Sequence, residues 1–226
     1  MAAMAMKTNT IKMGALLTPI ARRRPWKLAR ETATLDHLSK GRLIFAAGRG
    51  APLDAEYQWF GEMADPRTIA TKLDEGLDIL TGLWRGKQFR YEGKHFKVEQ
   101  TTFLPKPVQK PRIPIWIGGY WPNKPPFRRA AKWDGVFPLK IGGNIRASDV
   151  KKMKLYISAF RNPDSPYDII ITGRTSPENP EKTDKKICPF IDAGLTWWLE
   201  DVFGFRNDLD RLFKRIQAGP PQIMPK

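Results

Sequence analysis

Arg22-Arg23-Arg24-Pro25-Trp26-Lys27-Leu28-Ala29-Arg30-Glu31 runs into Thr34-Leu35-Asp36-His37-Leu38-Ser39-Lys40-Gly41-Arg42-Leu43-Ile44-Phe45-Ala46-Ala47-Gly48-Arg49-Gly50, and this stretch decides the fold. Thr10 to Thr18, just before it, reads as a buried strand in which Gly14 permits close packing or a bulge. Pro25 suits a first helical position, where a missing N–H costs nothing. Leu28, Leu35 and Leu38 recur at steps of seven and three and mark one helical face. Gly41 ends that helix as a C-terminal glycine cap. Arg42 to Ala47 is apolar on both faces, as a buried parallel strand should be. The stretch is thus a strand, a capped helix and a second strand ending in glycines.

The alternation continues outward. Asp65-Pro66 is an N-cap with a first-turn proline. Ile69, Leu73, Leu77, Leu80 and Trp84 then predict a helix over Arg67 to Trp84. Phe89 to Phe103 reads as a hairpin, Phe89-Arg90-Tyr91 against His95 to Val98 around Glu92-Gly93-Lys94. Pro105, Pro107 and Pro111 stiffen the approach to Ile113-Pro114-Ile115-Trp116-Ile117, a strand whose pairing should begin after Pro114. Asn123 to Trp133 reads as a helix and Asp134 to Pro138 as a strand. Val150, Met153, Ile157 and Phe160 mark another helix, Tyr167 to Thr172 a strand and Thr183 to Asp192 a helix. Leu195 to Leu199 is a last strand. Leu209, Leu212, Phe213 and Ile216 form the apolar face of a final helix capped by Asn207. Six strands alternating with helices give a parallel α/β architecture, barrel or open sheet.

A chain of 226 residues suits one domain, 1–226, and its 41% hydrophobic content with eight Trp excludes a disordered chain. No apolar run reaches the roughly 18 residues of a membrane helix. Pro19 and three arginines make Met6 to Ala21 a strand region rather than a signal peptide. The single cysteine, Cys188, excludes an internal disulfide, fits a reducing cytoplasm and reads as a small hydrophobe on a helix. The net charge of +16 raises nucleic-acid binding. Its cations run along the whole chain, densest at Arg22 to Arg24, with no recognition helix, zinc spacing or aromatic RNA motif. There is likewise no metal-ligand cluster, Cys/His nucleophile pair or phosphate-loop signature. His37 should be exposed near a helix end, and His95 should sit in the hairpin.

Ala33-Thr34-Leu35-Asp36-x-Leu38-Ser39-x-Gly41-Arg42 resembles the luciferase-like monooxygenase family, flavin- or deazaflavin-dependent enzymes on a (β/α)8 TIM-type barrel. Three further segments resemble that family in the same order. They are Phe103 to Gly119 (its fifth strand), Ala130 to Pro138 (its sixth) and Ala193 to Glu200 (its eighth). The resemblance implies that the first segment is the family's third strand, third helix and fourth strand. The six strands here would then be a barrel lacking its first two. Met1 to Thr10 would match the end of the family's second helix. The flanks Ile11–Thr18 and Leu195–Leu199 would lack their usual neighbours, which favours homo-oligomers or aggregation.

Barrel sites lie at the carboxyl ends of strands. That rule selects Thr18, Pro19 and Arg22, then Gly48, Arg49 and Gly50, then Gly118, Gly119, Tyr120 and Trp121. Lys140 with Gly142-Gly143, then Gly173, Arg174 and Thr175, and lastly Glu200 complete the set. A flavin phosphate asks for backbone N–H groups, a hydroxyl and a cation. Gly173-Arg174-Thr175 and Lys140 with Gly142-Gly143 supply them, and Arg49 is the strongest cation because glycines flank it at a strand end. Plain turns and solvated loops would produce the same residues. The resemblance implies an oxidoreductase using reduced FMN with oxygen, or coenzyme F-420, on a small organic substrate. The alternatives are a non-catalytic relative that binds flavin or a partner chain, and a basic nucleic-acid-binding protein.

Overall fold

A computed structural model describes residues 1–162, 164–203 and 208–223. The chain forms two compact units, Met1–Gly118 and Gly119–Lys226. The cap proposed at Asn207 lies outside the described residues.

The first unit contains α1 (Ala2–Lys7), β1 (Thr18–Pro19), α2 (Pro25–Leu38), β2 (Phe45–Gly48), α3 (Leu53–Glu56), α4 (Pro66–Trp84), β3 (Gln88–Glu92) and β4 (Lys97–Thr102), and β5 (Ile115–Trp121) begins in it. Thr18 pairs with Ala47 and Pro19 with Gly48, while Phe45, Ala46 and Ala47 pair with Ile115, Trp116 and Ile117, all in parallel. Pairing starts just after Pro114, whose carbonyl accepts the N–H of Phe45, as expected of a proline that cannot donate. Positions 42–48 are buried throughout, the signature of a parallel strand covered on both faces.

Helix α4 matches its sequence pattern. Asp65 caps it by accepting the N–H of Thr68, and Ile69, Leu73, Leu77, Leu80 and Trp84 are all buried. The hairpin is present with a shifted register, Phe89 opposite Thr101 and Tyr91 opposite Val98. His95 and Phe96 belong to its turn. The reason is Glu75, a buried carboxylate on α4 that accepts the backbone N–H groups of Lys94, His95 and Phe96.

Two expectations fail in this unit. Thr10 to Thr18 is not one buried strand: Met13 makes a lone bridge to Leu43, only Thr18–Pro19 is extended in a ladder, and Ile11 and Leu16 are exposed. This segment is an edge with a single strand neighbour. It is fixed instead by the buried Arg42, whose guanidinium donates to the carbonyls of Ala5, Thr8 and Ile11. Helix α2 buries Leu28, Ala29, Thr32, Ala33 and Asp36, not Leu35 and Leu38. The face is rotated because Asp36 accepts from the backbone of Val108 and Gln109 and from the side-chain amide of Gln109. These donors satisfy both oxygens of the buried carboxylate. At the end of α2, Lys40 (φ 53) takes the left-handed conformation as well as Gly41 (φ 76), and the N–H of Gly41 reaches the carbonyl of Asp36.

The second unit begins in β5 and contains α5 (Lys124–Ala130), β6 (Gly135–Lys140), α6 (Ala147–Ser158), β7 (Asp168–Gly173), α7 (Pro180–Asp192), β8 (Trp197–Glu200) and α8 (Leu209–Gln217). Val136 pairs with Ile169 and Ile170 with Trp197, again in parallel. Val150, Met153 and Ile157 are buried as expected, while Phe160 lies past the helix end and is exposed. Cys188 sits half-buried on α7. Helix α8 contradicts its pattern: Leu209, Phe213 and Ile216 are exposed and the buried residue is Arg215. Asp208 caps it by accepting from Arg211.

Candidate cofactor site

In the first unit, β1 and β2 end side by side and bring Thr18, Gly48, Arg49 and Gly50 together. A Cβ on Gly50 (φ +83) would lie 3.3 Å from Cβ of Pro19. Gly48 and Gly118 share one neighbour. A Cβ on either would collide with Cδ2 of Leu17, at 2.7 and 2.3 Å. The bare backbone that could receive a flat ring is therefore covered by Leu17.

Arg22 joins two loops of this unit. Its guanidinium lies 3.1 Å from Glu56 and 2.9 Å from Glu62, over the rings of Tyr57 and Phe60. The Glu62 hydrogen bonds, ahead of those from Glu56, raise its pKa. Tyr57 is buried and its hydroxyl donates to the carbonyl of Arg49 at 2.5 Å. Burial pushes that phenol up to about 12, so it stays a donor at neutral pH. Tyr57 also lines a small pocket of about 170 Å³ with Glu62, Met63, Ile69 and Lys72. Sequence reasoning missed Glu56, Tyr57 and Glu62. The only available signal was a run of acids and aromatics directly after a strand-end arginine.

In the second unit, Gly173, Arg174, Thr175 and Glu200 come together where β7 and β8 end. Glu200 accepts from the backbone N–H of Thr175 at 2.6 Å, from its hydroxyl at 2.9 Å and from the indole N–H of Trp198 at 3.1 Å. The buried Arg215 lies 3.4 Å from the same carboxylate and donates to Oγ1 of Thr175. Burial, the largest single influence, pushes the Glu200 pKa up, but the bonds from Thr175, Trp198 and Arg215 outweigh it and hold it below the usual range. Arg174 pairs with Asp201 and Lys140 with Asp149 at 2.7 Å. Gly173 faces the ring of Trp198.

Some selected residues lie inside elements rather than beyond them. Gly118, Gly119, Tyr120 and Trp121 belong to β5, Lys140 ends β6, and Glu200 ends β8. Gly119 packs on Pro126, and the buried Trp121 meets Phe127 edge-on with Lys124 over its ring. His37 is exposed as expected, with Nε2 2.8 Å from the carbonyl of Lys106. The described residues hold no cluster of metal-ligating side chains.

A phosphate-bearing cofactor needs a cation that is not already neutralised. Arg22, Lys140 and Arg174 each have a carboxylate, and the donors of Thr175 are taken by Glu200. Arg49 is different: among the described residues its half-buried guanidinium makes no hydrogen bond or ion pair. The donor chemistry at Gly48-Arg49-Gly50 therefore fits a flavin-type phosphate.

The model of the luciferase-like monooxygenases matches residues 1–192. The chain belongs to that family. It is 31% identical over 213 residues to an F420-dependent glucose-6-phosphate dehydrogenase from Microbacterium testaceum, covering 94% of this chain and 50% of the relative. It is 32% identical over 143 residues to the oxygenase component of a flavin-dependent trigonelline monooxygenase from Acinetobacter baylyi, covering 62% of this chain and 38% of the relative. The family member thus spans half or less of the length of these curated relatives. Among solved structures, the coenzyme F420-dependent tetrahydromethanopterin reductase of Methanopyrus kandleri superposes with a TM-score of 0.73 at 18% identity, covering 95% of this chain and 84% of that one. This likeness establishes the fold as α/β with parallel strands of the luciferase-like barrel type. The six strands amount to part of such a barrel.

Proposed function

We propose that this chain acts as a flavin- or deazaflavin-dependent oxidoreductase on a small organic substrate. Family membership supports this, as do relatives named for flavin and for F420. The observation that carries it is Arg49, the uncompensated cation among the selected strand-end residues of the first unit. When bound, reduced FMN would supply oxygen chemistry, and the deazaflavin F-420 would supply hydride transfer. Arg49 would hold the phosphate by a charge-assisted bond, with the backbone of Gly48 and Gly50 close by. Tyr57 would fix the Arg49 backbone, and Thr18 would border the same strand ends. Gly118 stands as a further candidate cofactor-facing position of the same unit.

Binding of FMN and of F-420 to the purified protein, followed by fluorescence, tests the proposal. One of the two should saturate, and Arg49→Ala should weaken it by roughly 10- to 150-fold, the equivalent of about 1.5–3 kcal/mol. Unchanged affinity in a variant with unchanged circular dichroism removes Arg49 from the site. Failure of both cofactors to bind defeats the oxidoreductase reading.

The side chain of Leu17 over Gly48 and Gly118 favours a second reading, a relative that binds without turnover. Saturable binding with no oxidation or reduction of any offered substrate would support it. A cytoplasmic location accords with the single half-buried cysteine, and self-association through the flank Ile11–Thr18 accords with its exposed Ile11 and Leu16 and its single strand neighbour among the described residues.

A further inference from the structure

The net charge is not evenly distributed. Positions 121–161 carry ten Lys or Arg and two Asp, so half of the chain's +16 falls there. Asp149 is buried and paired with Lys140, and Asp134 is half-buried and partnered, which leaves the outer surface to the cations. Helices α5 and α6 pack on one another within the second unit. They expose Lys124, Arg128, Lys151, Lys152 and Lys154. Two of these cations are backed by rings rather than by acids: Lys124 lies 4.3 Å from Trp121 and 4.4 Å from Tyr156, and Arg128 lies 5.3 Å from Phe160. Such stacking orders a cation without neutralising it.

The apolar residues on this face separate two kinds of partner. At 100° per residue, Leu155 lies between Lys151 and Lys152 on the side of α6 opposite Val150, Met153 and Ile157. It is 76% exposed, and Phe160 beyond the helix end is 45% exposed. A nucleic-acid backbone would match the cations but set Leu155 against phosphates. A bilayer surface matches both, with lysines at headgroup level and the apolar apex in the acyl boundary. We propose that the α5–α6 face docks peripherally on anionic phospholipid. No described helix is long and apolar enough to cross a membrane, and docking of this kind needs none.

Co-sedimentation with phosphatidylcholine vesicles, with and without phosphatidylserine, tests the proposal on the whole chain. Binding should require phosphatidylserine and weaken as salt rises. Lys151→Ala with Lys152→Ala should lower partitioning by about 25-fold, at about fivefold per lysine. The same charge loss placed elsewhere, in Lys87→Ala with Lys110→Ala, should change it far less. Leu155→Glu should lower binding at unchanged helix content and melting temperature, and Leu155→Ser serves if the glutamate variant does not fold. Equal binding to neutral vesicles, or equal loss from the control pair, overturns the proposal. So does binding that Leu155→Glu leaves intact, or an absence of vesicle binding alongside salt-sensitive retention on DNA.

Discussion

Helices α4 and α8 are both amphipathic in sequence, yet only α4 buries its apolar stripe. Leu73, Leu77 and Leu80 are all 1% exposed or less, while Leu209, Phe213 and Ile216 are between 56% and 59% exposed. Helix α4 lies against α2 and the turn Ile20–Arg22, so its stripe has something to meet. Helix α8 is tied down through its polar side, by Arg215 reaching Glu200, Thr175 and the carbonyl of Gly219. A 3.6-residue period shows which face of a helix is apolar and leaves open whether another element covers it. Predictions that separate these two modes of attachment can break the comparison.

The largest effect should come from Leu73→Ala, at about 2–5 kcal/mol of lost stability, because it leaves a cavity in the middle of the buried stripe. A chemical denaturation curve with an unmoved midpoint would show that α4 is not the packed partner it looks to be.

Arg215→Ala should cost about 1–3 kcal/mol by leaving the Glu200 carboxylate shielded from water without its guanidinium. Glu200→Gln should cost less and change the acid limb. Because the folded pKa of Glu200 lies below its ordinary 4.5, its contribution is fully present above about pH 4.5. That contribution fades as the pH drops through the lowered folded value. The stability difference between the native protein and Glu200→Gln, followed from pH 6 downward, should therefore shrink. A constant difference would mean that Glu200 is not held ionised by Thr175, Trp198 and Arg215.

The order of strands and helices was legible in the sequence because it rests on apolar runs and caps, as at Asp65-Pro66 and Pro25. The family was legible in the Ala33 to Arg42 motif, although the roles of its residues were not. Nothing local assigned a role to Asp36 or Arg42, yet both are buried ties between distant backbone segments. Long-range partners leave no local period. The same blindness affects the strand ends. Thr175 and Glu200 were selected, but Arg215, forty positions after Thr175, sat on what looked like the solvent face of its helix. Arg22 looked like a free cation because Glu56 and Glu62 come from another loop. Charge was misread in the opposite sense: the densest cations were sought at Arg22 to Arg24, while the greatest imbalance lies where acids are scarce.

The smallest expected effect is the sharpest test of the comparison. Phe213→Ala removes a large aromatic side chain from an apolar stripe, which in α4 would cost several kcal/mol. On α8 the same ring is 57% exposed, so its removal should stay within about 0.5 kcal/mol in the isolated chain. The measurement should be made at low concentration and repeated at high concentration. A stability loss that appears only at high concentration would mean that another copy covers the stripe, since association stabilises by mass action. A large loss at every concentration would mean that α8 is packed through its apolar side after all, and the contrast with α4 would fail.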